Sequence, residues 1–99
     1  MENKARKVLI ADDEPDIREL LQYNLSAAGY EVILAKDGDE ALDKAKKNKP
    51  DLILLDVMMP KKSGVEVCKI LRSQIQFSET LIVMLTALND DGSVVKGLE

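Results

Sequence analysis

The chain has 99 residues, 45% hydrophobic and 32% charged, the size and balance of one small globular domain spanning 1–99. Its formal net charge is −4, which counts against direct nucleic acid binding, because phosphate neutralisation needs clustered Lys and Arg. With no histidine and a single cysteine, Cys68, the chain excludes an internal disulfide, Cys–His catalysis and a histidine-ligated zinc site.

Aromatics make up only 3%, so the core must be aliphatic, and Cys68 reads as part of it. Lys4, Arg6 and Lys7 read as a solvated N-terminal arm. No signal-peptide pattern and no apolar run of membrane-spanning length occur, so a cytoplasmic protein without membrane contact is expected.

In chain order, "KVLIA" (Lys7–Ala11) is short, apolar and β-branched, a buried strand. "EPDIRELLQYNLSAAG" follows as a helix, with Ile17, Leu20, Leu21 and Leu25 at helical spacing, Pro15 in the first turn and Gly29 as the stop. "YEVILAK" (Tyr30–Lys36) is a second strand, and "DGDEALDKAKKN" a second helix facing Ala41, Leu42 and Ala45 inward. Its exposed end carries Lys44, Lys46, Lys47 and Lys49, positive charge that suits a helix C-terminus. "DLILLD" is a third strand, apolar on both faces. After "PKKSG", residues 65–74 form a third helix with Cys68, Leu71 and Ile75 on one stripe. "TLIVMLTA" (Thr80–Ala87) is a fourth strand, and "NDDGSVVKGLE" opens a fourth helix. The βαβαβαβα count predicts an α/β fold, an open, doubly wound parallel sheet.

In such a sheet, ligands bind beyond the carboxyl ends of the strands. Strand one ends in Asp12, Asp13 and Glu14, strand three in Asp56, and strand four in Thr86 and Ala87. If strands one and three are neighbours, the three aspartates converge. Each has a plain structural reading: Asp12 or Asp13 could cap the first helix, Asp56 could end a strand in a turn, Thr86 could cap the fourth helix. Together they would repel, and need either a cation or protonation. Oxygen-only donors suit a hard cation such as Mg2+, and a carboxylate beside it can act as a nucleophile toward phosphorus.

These residues carry a resemblance. "VLIADDEPDIRELL", "DLILLDVMMPKKSGVEVCKILR" and "IVMLTA" resemble the receiver domain of two-component response regulators, over nearly the whole chain. The resemblance implies a flavodoxin-like (βα)4 portion of a (βα)5 fold, strand order 2-1-3-4. It implies Asp56 as the phosphoacceptor, with a histidine kinase as donor. Asp13 would ligate Mg2+ directly and Asp12 through water, with Asp56 and the backbone carbonyl of Met58 completing the protein ligands. Thr86 would be the hydroxyl that contacts the phosphoryl group, Ala87 would leave access to it, and Pro60 and Gly64 would shape the loop into the third helix. Such a domain is a phosphoacceptor and not an enzyme.

The sequence departs from the family by stopping before a fifth strand, so no lysine here takes the role of the one that follows that strand. A truncated receiver with impaired activity is therefore expected, self-associating through the open edge of strand four, Thr80–Ala87. Two other readings compete. One is an isolated structural (βα)4 fragment that keeps the acids unused. The other is an aspartyl phosphatase of haloacid-dehalogenase type, which needs a second acid where Met58 stands.

Overall fold

In this computed structural model, residues 6–85 and the backbone of residues 95–96 are described. The elements are β1 (Lys7–Ala11), α1 (Pro15–Ala27), β2 (Glu31–Ala35), α2 (Gly38–Asn48), β3 (Leu52–Asp56), α3 (Gly64–Arg72), a 3-10 turn (Ile75–Phe77), β4 (Leu81–Leu85) and β5 (Val95–Lys96). The sheet order is β2-β1-β3-β4-β5, with the first four strands parallel. The expected α/β class and the 2-1-3-4 order are what the chain adopts.

Helix boundaries follow local chemistry. Pro15 opens α1, where its missing N–H costs nothing. At the other end Gly29, at φ 100°, donates to the Ser26 carbonyl and Tyr30 to that of Leu25, closing the helix in a Schellman arrangement. Asp37 caps α2 by accepting from the Glu40 N–H at 2.8 Å. Ser63 and Glu66 form a reciprocal capping box at the start of α3. Lys7 is no arm residue: it begins β1, and its ammonium donates to the Asn48 carbonyl at 3.2 Å.

Register sets the two faces of the sheet. Leu9, Ile33, Ile53 and Ile82 stand abreast, as do Ala11, Ala35, Leu55 and Met84. Helices α2 and α3 cover these rows with Ala41, Ala45, Val67, Cys68 and Leu71. On the opposite face α1 packs on β1 and β2. It shelters Val8 and Ile10, yet no residue of α1 is itself fully buried, and Leu20 is 57% exposed. Leu81, on that side of β4, is half exposed.

Two expectations at the end of the chain change. The third helix stops at Arg72, and Ile75 is 89% exposed instead of extending the buried stripe; the 3-10 turn sends Phe77 into the core in its place. Where a fourth helix was expected, residues 95–96 are a strand, antiparallel to β4 through Leu85↔Val95 and Met84↔Lys96. Among the described residues, the edge of β4 is thus paired at its carboxyl end and has no partner strand over its earlier residues. Three α-helices occur among the described residues.

Candidate metal and acceptor site

Asp56 is the last residue of β3, directly after Leu55, which is fully buried. Its carboxylate accepts from the Met58 N–H at 3.3 Å, and the Val57 N–H bonds the Leu85 carbonyl at 3.2 Å. The chain then loops out and returns: the Gly64 N–H donates to the Val57 carbonyl at 2.9 Å. A Cβ on Gly64 would overlap the Asp56 carbonyl oxygen and lie 3.1 Å from the Val57 Cα. Gly64 therefore lets α3 begin hard against the acid. Pro60 lies on the outer bend and is exposed.

Asp12 follows β1 by one residue and is almost fully buried, 6% exposed. Its N–H donates to the Ala35 carbonyl, its carboxylate accepts from the Glu14 N–H at 2.9 Å, and its carbonyl accepts from the Arg18 guanidinium at 2.7 Å. The cap position of α1 is Glu14 and has no side-chain cap, so neither Asp12 nor Asp13 caps that helix. Asp13, beside it, is exposed.

Because Ala11 stands abreast of Leu55, the next residues of β1 and β3 bring Asp12 and Asp56 to the same level. One carboxylate oxygen from each of Asp12, Asp13 and Asp56 lies within 4.8 Å of the other two. Burial pushes the Asp56 pKa up from 3.8 to about 6, and the Asp12 charge adds to it. Asp12 is raised as well, again by burial first. These are groups held together against their repulsion. Carboxylate oxygens fit a hard divalent cation, and there is no nitrogen or sulfur donor among them to favour a softer one.

Met58 lies in the loop after Asp56 with its side chain 72% exposed. Thr86 and Ala87 lie outside the described residues. Sequence reasoning missed Arg18, which fixes the backbone of Asp12. Its only signal was a basic residue one turn into the helix that follows the acids.

The family model for the response regulator receiver domain matches residues 8–99. The alkaline phosphatase synthesis transcriptional regulatory protein PhoP of Bacillus subtilis (strain 168) is 56% identical over 95 residues, which are 95% of this chain and 38% of that protein. The chain thus spans well under half the length of this curated relative. Among solved structures, the chemotaxis response regulator CheY4 of Vibrio cholerae is 46% identical with a TM-score of 0.79, over 82% of this chain and 68% of that one. A putative response regulator from Chloroflexus aurantiacus is 40% identical with a TM-score of 0.83, over 89% of this chain and 72% of that one. A parallel sheet in the order 2-1-3-4, acids at the ends of its two central neighbours and these likenesses agree: the chain belongs to the response regulator receiver domain family.

Proposed function

We propose that this domain accepts a phosphoryl group on Asp56, with Mg2+ held by Asp12, Asp13, Asp56 and the backbone carbonyl of Met58, and with a histidine kinase as donor. One observation carries the reading: three carboxylates brought within 4.8 Å at the carboxyl ends of adjacent strands. Bound there, Mg2+ supplies positive charge to the acids and to the phosphoryl oxygens. An oxygen of the Asp56 carboxylate attacks phosphorus. The new O–P bond forms as the P–N bond of the donor phosphohistidine breaks, and its electron pair stays on the imidazole nitrogen, which then takes a proton. Asp56 attacks only as the carboxylate, the form that its pKa of about 6 leaves in excess at neutral pH. Arg18 and the Glu14 N–H hold Asp12 in place from behind. The family resemblance assigns the phosphoryl contact to Thr86 and the clear approach to Ala87, both outside the described residues.

The phosphatase reading is the weaker one. Such an enzyme needs an acid to protonate the leaving group, and Met58 has no proton to give. In a longer regulator, this domain is the part that receives the signal for an output elsewhere. Its β4 edge, without a partner strand over its first residues among the described residues, and half-exposed Leu81 support self-association; light scattering is expected to find a dimer or larger, and a folded monomer would refute this part.

Acetyl phosphate with Mg2+, followed by peptide mass spectrometry, tests the chemistry. The expected result is one phosphoryl group on Asp56 that is lost in Asp56→Ala. A folded chain that stays unmodified contradicts the proposal.

A further inference from the structure

We propose that Gly38 and Asp39 are positioning residues for Asp56: they clasp the loop between β3 and α3, residues 57–63, to the start of α2. The inference rests on the reading of Asp56 as acceptor, and it adds residues that lie on a different strand-helix connection.

The loop is fixed at its inner end by the bonds at Val57 and Gly64. Those bonds do not reach its outer bend, which runs through Pro60, Lys61 and Lys62. Lys61 has φ 74°, a left-handed conformation that a non-glycine residue keeps only when its surroundings hold it.

Gly38 supplies that hold. Its N–H donates to the Pro60 carbonyl at 3.3 Å, and the Lys62 N–H turns back to the same carbonyl at 2.8 Å. Gly38 is buried, and a Cβ there would overlap the Lys62 carbonyl oxygen and sit 2.5 Å from the Lys62 Cβ. Two backbones approach here more closely than any side chain allows. The Lys62 ammonium then reaches the Asp39 carboxylate at 2.9 Å. This pair is open to solvent, so it orients the bend more than it stabilises the fold.

The consequence is felt at the acid cluster. Met58 lies between the two fixed ends of the loop, its N–H on the Asp56 carboxylate. Displacing the outer bend moves the backbone that carries both this bond and the Met58 carbonyl. Groups that hold ligand-bearing backbone in place usually change metal affinity by one or two orders of magnitude.

The test is Gly38→Ala in the full chain, read by NMR. Mg2+ titration of the Met58 and Asp56 amides is expected to give a dissociation constant raised about tenfold. Without Mg2+, exchange of the Gly64 amide is expected to quicken while amides of β1 and β3 keep their protection, a pattern that general loss of stability would not give. A folded Gly38→Ala with the original Mg2+ constant and Gly64 exchange overturns the proposal. Should Gly38→Ala not fold, Asp39→Lys decides. It is expected to quicken Gly64 exchange, and adding Lys62→Asp to restore it; exchange that ignores both changes overturns the proposal. If the unaltered chain takes neither Mg2+ nor a phosphoryl group on Asp56, the receiver chemistry itself fails. If it takes both while the variants behave identically, only the clasp fails.

Discussion

Leu55 and Asp56 are neighbours on one strand and live under opposite conditions. Leu55 is packed with Leu9, Ile53, Leu71, Phe77 and Ile82 into a core from which water is excluded. Folding removes its apolar surface from water, a favourable change wherever the chain ends up. One residue later, folding brings Asp56 to Asp12 and Asp13 and partly dries it, which is unfavourable for every charge involved. The α2–α3 side of the sheet is therefore where the domain gains stability, and the carboxyl edge is where it gives some back. A region that costs stability without a partner is one a cation or phosphoryl group can change.

The largest expected effect lies on the core side. Leu55→Ala should cost about 3 kcal/mol, from lost burial and the cavity left behind, measured by urea unfolding. Any fraction that stays folded should still take a phosphoryl group on Asp56. Loss of modification in folded protein would mean that the two regions are not separable.

Next is the acid edge under changing pH. Asp56 titrates near 3.8 unfolded and about 6 folded, so between these values the folded state holds more protons. Stability of the metal-free chain should then fall as pH rises from about 4 to about 6, by less than the roughly 3 kcal/mol that the full shift would give because solvent screens this partly exposed group, and stay low above that window. Asp12, raised in the same direction, adds to the trend. Asp56→Asn should flatten this dependence. An unchanged slope in that variant would remove Asp56 as its source.

The acids were legible in the sequence because topology does the work. Alternating strands and helices imply parallel pairing, and parallel pairing puts every strand end on one edge. What the alternation does not carry is where a helix stops. Leu71 and Ile75 are four apart, which reads as one helical face, but the chain leaves the helix after Arg72 and buries Phe77 through a 3-10 turn. The chain-order alternation predicts a helix over "SVVKGLE", but Val94 and Val95 are β-branched, and residues 95–96 pair with β4. Gly38 was invisible for another reason. Its place is set by close contact with Lys62, twenty-four residues on in sequence, and no local pattern announces that.

A smaller effect joins the two regions. Arg18 lies on α1 but bonds the carbonyl of Asp12. Arg18→Met keeps most of the apolar stem and removes the donor, so a loss of about 1 kcal/mol is expected in thermal unfolding. Mg2+ affinity should weaken with it. Weakened stability with unaltered Mg2+ affinity would place Arg18 with the core and not with the site.

The contrast between core and edge is tested most directly by unfolding the unaltered chain and Asp56→Asn at pH 7, each with and without Mg2+. Without the ion, Asp56→Asn should be the more stable of the two. With Mg2+ in excess, the unaltered chain should gain stability and the gap should narrow or reverse, because binding to the folded state alone adds stability by mass action. An Asp56→Asn variant that is less stable without Mg2+, or an unaltered chain that Mg2+ leaves unmoved, would contradict the account of this edge as a cation site held against its own repulsion.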